Sequence, residues 1–186
     1  MHIVYDMYLS STYLPEFIAT HVENILKTVI RTTDILLNDA SDYNARIEFA
    51  WAATQALNAS TFCGVEGNRY DTHFLEHTLS SEYNIAHGEG LAIMLPAWMK
   101  WQKDNLPERF SQFAKKVFDV DGIDTGIKAF TQWCSRIGAP VTFKEGKIPE
   151  TDIPMLIEKL MVVARFWLGS EVYTVDMISR VLENAK

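Results

Sequence analysis

The sequence predicts an all-α protein built around one helical core, and three observations carry that prediction. Apolar residues recur at three- and four-residue steps through most of the chain, the signature of helices that bury one face. Strand-like alternation never lasts more than a few residues, with Ile3-Val4-Tyr5 the one mild exception. Turn-forming residues cluster between the periodic stretches, most clearly from Phe143 to Pro154, which holds Gly146, Pro149 and Pro154.

The elements follow in order. Leu14, Phe17, Ile18, His21, Val22, Ile25, Leu26, Val29 and Ile30 define a first helix that runs to about Leu37 and ends near Asn38-Asp39-Ala40. Pro15 stands where a first-turn proline is tolerated, behind Ser11 and Thr12 as candidate caps. A second helix opens at Ser41 or Asp42 and runs to about Asn58. Its interior, Ala50 to Leu57, is apolar on most sides and rich in small residues that let neighbours approach closely, which places it at the centre of the fold. Gly64 and Gly67 mark a break, a third helix runs from Asp71 to about Ser81, and Asn84 and Gly88 interrupt again. Leu91 to Trp101 reads as helix with Pro96 as a kink. Phe110, Phe113, Ala114, Val117 and Phe118 form the next stripe. Ile127, Phe130, Cys134 and Ile137 form another, stopped by Gly138. Ile153, Leu156, Ile157, Leu160, Met161 and Ala164 form a helix capped by Asp152. Val175, Ile178, Val181 and Leu182 form the last one, capped by Thr174.

Length and charge narrow the function. The 186 residues, 48% hydrophobic and 22% charged, suit one globular domain spanning 1–186, with no repeat and no interdomain linker. With 24 acidic against 17 basic side chains and a net charge of −7, neither a nucleic acid nor an anionic membrane surface is an expected partner. Cys63 and Cys134 are too few for a disulfide framework and do not form a CxxC pair, which excludes a thiolate zinc site. No signal peptide or membrane-spanning run is visible, so the expected compartment is the cytoplasm.

Chemistry is concentrated in one place. Of the histidines His2, His21, His73, His77 and His87, three fall between Asp71 and Gly88. His73 and His77 are four apart, on one helix face, and His87 follows His73 by fourteen positions, across the break at Asn84. A helix, a turn and the start of the next helix can bring the three together. Imidazoles converging in an acidic protein without usable thiols suggest a divalent metal, and a supporting carboxylate tilts the choice toward Fe or Zn. His21, alone on an apolar helix face, reads as a structural histidine. The five Trp and seven Met read as core or cleft lining. Trp98 and Trp101 follow the metal region, and core packing is the stronger reading for them than substrate contact. A rival pattern is also present: His73-x-x-Glu76-His77 matches the H-x-x-E-H of a class of zinc metallopeptidases, in which the Glu activates water, but it leaves His87 without a role.

Longer runs carry a resemblance. Trp51-Ala52-Ala53-Thr54-Gln55-Ala56-Leu57-Asn58 is similar to a signature helix of the iron-containing (group III) alcohol dehydrogenases, in their butanol dehydrogenase-like branch. The run His73-Phe74-Leu75-Glu76-His77, with Leu79-Ser80, Glu82-Tyr83, His87-Gly88 and Gly90-Leu91-Ala92-Ile93, resembles that branch's metal-site region, and Leu95-Pro96-Ala97-Trp98-Met99 continues it. Gly138-Ala139-Pro140 and Thr174-Val175-Asp176 extend the likeness over essentially the whole chain. The resemblance implies a helical bundle like the C-terminal domain of the dehydroquinate synthase-like and iron-containing alcohol dehydrogenase fold. It also implies an N-terminal α/β domain that binds NAD(P) and is absent from these residues, where no glycine-rich phosphate loop is found. The family's metal, Fe(II) or Zn(II), is held by one Asp and three His. His73 and His87 match two of those ligands and His2 is the candidate for the third, with the Asp falling ahead of Met1. Around His2 the chain departs from the family pattern: Tyr5 and Met7 stand at the expected acidic and aromatic positions, and Asp6 and Tyr8 follow one residue late. His77 matches a further histidine that faces nicotinamide and substrate, the candidate catalytic residue. The expected activity is hydride transfer between a small alcohol or aldehyde and NAD(P), negligible in the isolated chain, and the chain is expected to form a homo-oligomer, a dimer. The alternatives are a non-catalytic helical dimerisation module or truncated remnant, and the zinc metallopeptidase.

Overall fold

Helix-forming stripes dictate the architecture of the computed structural model, which describes residues 7–167 and 173–186. Eight α-helices follow one another among the described residues after a helical turn at 7–10: α1 (Glu16–Asn38), α2 (Tyr43–Leu57), α3 (Asp71–Tyr83), α4 (His87–Gln102), α5 (Pro107–Phe118), α6 (Ile123–Arg136), α7 (Ile153–Trp167) and α8 (Val175–Asn184). Short 3₁₀ turns at Ser60–Phe62 and Glu150–Asp152 complete the order. No strand forms among the described residues; the one β-type contact is a bridge between Tyr13 and Glu66. The all-α expectation holds. No helix among the described residues is long and apolar enough to cross a membrane.

The chain groups into two compact units. The first joins residues to Tyr70 with Asn105–Ala129; the second joins Asp71–Asp104 with Phe130–Lys186. In the first unit α1 packs on α2 and α5. Its buried stripe is Ile18, Val22, Ile25, Leu26 and Val29, whereas Phe17, expected on that face, is 81% exposed. Pro15 occupies the cap position itself, one step ahead of the first turn. Ser11 and Thr12 do not cap α1: their hydroxyls donate to the carbonyls of Met7 and Glu66. Gly67 makes that second contact possible, because a Cβ there would lie 2.4 Å from Thr12 Oγ1 and its φ is +68°.

Helix α2 is peripheral where the sequence placed it centrally. Ala45, Ala52 and Ala56 are its buried residues, and Trp51 is 63% exposed. The alanines make a thin stripe against α1, while the bulky side chains lie on other faces. Asp42 is its N-cap, accepting from the Ala45 N–H at 2.8 Å.

A polar cluster anchors the first unit. Tyr8 Oη donates to Glu23 Oε1 at 2.6 Å and Gln112 Nε2 donates to the same oxygen at 2.7 Å. Arg109 donates to Gln112 Oε1 at 2.9 Å and stacks its guanidinium 5.4 Å from the Tyr8 ring centre. Burial, and then the neighbouring Glu23 carboxylate, hold the Tyr8 phenol well above the usual tyrosine range.

In the second unit α4 is the central element, packing on α3 and α8, and every residue from Gly90 to Met99 is buried. Pro96 lies inside this helix, as expected. Gly88, expected to interrupt, belongs to its first turn. Asn84, with φ of +51°, makes the break alone. Helix α8 presents Met177, Ile178, Val181 and Leu182 as its buried face, and Thr174 Oγ1 caps it by accepting from the Met177 N–H at 3.2 Å. Asp152 accepts from Tyr83 Oη at 2.9 Å. The Phe143–Pro154 loop is held to the C-terminus by the Phe143 N–H, which donates to the Ala185 carbonyl at 2.8 Å.

Candidate metal centre

The site is built where α3 ends and α4 begins. Asp71, wholly buried at the start of α3, accepts from Trp98 Nε1 at 2.9 Å and from Tyr173 Oη at 2.6 Å. These two bonds tie the first turn of α3 to α4 and to the residue just before α8's cap, all within the second unit. Two neutral donors satisfy both oxygens of a carboxylate that would otherwise be costly to bury. At the other end, the Asn84 N–H donates to the Ser80 carbonyl at 3.1 Å and the chain reverses through Ile85 and Ala86. Glu89 Oε2 accepts from the Ala86 N–H at 3.3 Å, so α4 starts at His87.

That reversal lays His87 beside the histidines of α3. Ring centres of His73 and His87 are 5.4 Å apart, those of His77 and His87 5.3 Å, and those of His73 and His77 6.2 Å. The three imidazoles therefore converge as their spacing predicted. His73 is half-buried and His77 exposed. His2 lies outside the described residues. Ligand-capable atoms of Glu76, His77 and His87 all fall within 4.8 Å of one another, with Glu76 fully buried. His21, read as structural, has its Nε2 3.4 Å from Ser60 Oγ.

Glu76 stands differently from what the rival motif would require. In the metallopeptidase reading it activates water. Here its side chain is wholly buried, and it accepts from Ser80 Oγ on one oxygen and from His87 Nδ1 on the other. A wholly buried carboxylate already engaged by Ser80 and His87 does not favour that reading. The i, i+4 spacing of Glu76 and Ser80 was a visible signal of their bond. The approach of His87 was not, because it depends on the path of the turn.

The three imidazoles offer nitrogen donors, which suit iron or zinc. The arrangement defines an all-helical domain with a histidine cluster at one helix–helix junction. Residues 8–185 match the family described as the Fe-containing alcohol dehydrogenase family, C-terminal. The chain belongs to this family, and it corresponds to the family's C-terminal domain.

Individual proteins agree. The chain is 29% identical to the probable NADH-dependent butanol dehydrogenase 1 of Bacillus subtilis over 96% of its own length and 50% of that protein's. A crystal structure of NADH-dependent butanol dehydrogenase A from Thermotoga maritima superposes with a TM-score of 0.92 at 35% identity, covering 99% of this chain and 49% of that one. The substrate- and cofactor-free aldehyde reductase YqhD from E. coli superposes with a TM-score of 0.91 at 29% identity, covering 100% of this chain and 50% of that one. The chain thus spans about half the length of the relatives it matches.

Proposed function

We propose that residues 1–186 act as the metal-holding helical domain of an iron-dependent, NAD(P)-linked alcohol dehydrogenase that interconverts small alcohols and aldehydes in the cytoplasm. The convergence of His73, His77 and His87 from two helices joined by a three-residue turn carries this reading. His73 and His87 are the metal ligands contributed by α3 and α4, and His2 is the third. Iron, or zinc in its place, supplies Lewis acidity toward the oxygen of the alcohol or carbonyl when bound. His77, exposed and one turn beyond His73, holds or passes a proton at a ring nitrogen and orients the substrate. The nicotinamide cofactor is bound by the nucleotide-binding α/β domain of the whole enzyme, which also closes the cleft against water.

Self-association fits the same reading. Phe17, Trp51 and Phe166 are 81%, 63% and 89% exposed, and apolar surface of this kind is normally covered. A homodimer is the proposed state, with light scattering over a concentration series as its test; a monomer throughout would exclude it.

The deciding experiment is anaerobic calorimetric titration of the chain with Fe(II) and with Zn(II). One ion should bind per chain. His73→Ala and His87→Ala should each weaken it by about 100-fold or more, since losing a ligand exceeds the 10–100-fold cost of losing a residue that only supports one. His77→Ala should leave affinity nearly unchanged. No binding, or equal losses at His77 and His87, would overturn the assignment.

A further inference from the structure

We propose that Glu76 is the positioning residue of this site: it holds His87 in the Nδ1–H form and leaves Nε2 as the nitrogen presented to the metal. The proposal rests on the metal reading of His87 given above. Its structural ground is separate.

A carboxylate oxygen has no proton to give, so the hydrogen in its bond with His87 belongs to Nδ1. A neutral imidazole carries one hydrogen, and the nitrogen left bare is set by the bond the other makes. Two features fix the Glu76 carboxylate where it can impose that choice. Ser80 Oγ, one turn along α3, donates to Oε1 and also lies 3.2 Å from the Ile85 carbonyl, which stitches the carboxylate to the turn that delivers His87. Gly90, one turn along α4 from Ala86, closes over the other side. A Cβ there would stand 2.5 Å from Glu76 Oε1 and 2.8 Å from its Cγ, so the carboxylate occupies the space a side chain would need. Glu76 is 0% exposed, while the His87 side chain is 41% exposed. The buried partner therefore anchors the more exposed one. In this proposal Glu76 acts on the metal through His87 and not as a ligand.

The test is imidazole nitrogen NMR on the metal-free chain at a pH where the histidines are neutral, followed by Zn(II) titration. In the wild type, His87 should show a pyrrole-like Nδ1 and a pyridine-like Nε2. Glu76→Met fills the same buried space without an acceptor. It should shift His87 toward the Nε2–H form and weaken Zn(II) by about 10–100-fold, the usual cost of losing a group that orients a ligand. Glu76→Gln, whose amide oxygen can still accept, should restore most of both. An unchanged far-ultraviolet circular dichroism spectrum reports an intact helical fold. A wild-type His87 that carries its proton on Nε2 overturns the proposal whatever the variants do, and so does a Glu76→Met chain that keeps the Nδ1–H form. Wild-type chain that shows the Nδ1–H form but binds no Zn(II) would defeat the metal reading and leave the Glu76–His87 assignment standing.

Discussion

Helices α2 and α4 are 15 and 16 residues long, and they treat their apolar residues in opposite ways. In α4 ten successive residues, Gly90 to Met99, are buried on every side. In α2 only Ala45, Ala52 and Ala56 are covered, and Tyr43, Ile47 and Trp51, spaced four apart along another face, are 74%, 49% and 63% exposed. A helix apolar all round needs neighbours all round. Helix α4 has them within its own unit, in α3 and α8. Helix α2 packs on α1 through its smallest side chains, and its largest ones face outward. Apolar content therefore does not say which helix is central.

Four substitutions sharpen or break this contrast, read by chemical denaturation. Trp98→Ala in α4 should cost the most, about 3–5 kcal/mol, because it opens a cavity and also deprives buried Asp71 of a donor. Gly90→Ala should cost about 1–3 kcal/mol by driving a methyl group into the Glu76 carboxylate. Asp42→Ala removes the side-chain cap of α2 and should cost about 1 kcal/mol. Trp51→Ala should change stability by less than about 0.5 kcal/mol, while reducing self-association in light scattering. A Trp51→Ala loss as large as that of Trp98→Ala would mean that α2 is as enclosed as α4.

Much of this molecule is legible in the sequence wherever local rules decide the outcome. The stripes of α1, α5 and α8, the Asp42 and Thr174 caps and the stop at Gly138 all depend on residues within a turn or two of each other. The histidine cluster is legible for the same reason, since a short turn joins its two helices. The outward face of α2 and the exposure of Phe17 were not legible, because periodicity names a face without naming what covers it. Gly88 misled because glycine is tolerated in a first helical turn as well as in a break. The role of Glu76 was hidden in a motif match, and the same three letters that suggested a water-activating base belong to a carboxylate turned inward.

The closeness of Gly90 to Glu76 also has a consequence for lineages. The two positions share one volume, so a side chain added at Gly90 displaces the Glu76 carboxylate. Relatives that carry a side chain where this chain has Gly90 should carry something shorter where it has Glu76, and should steady the equivalent of His87 by other means. The pair is expected to covary across the family, and a relative's residue at the glycine position should foretell whether it keeps the inward carboxylate.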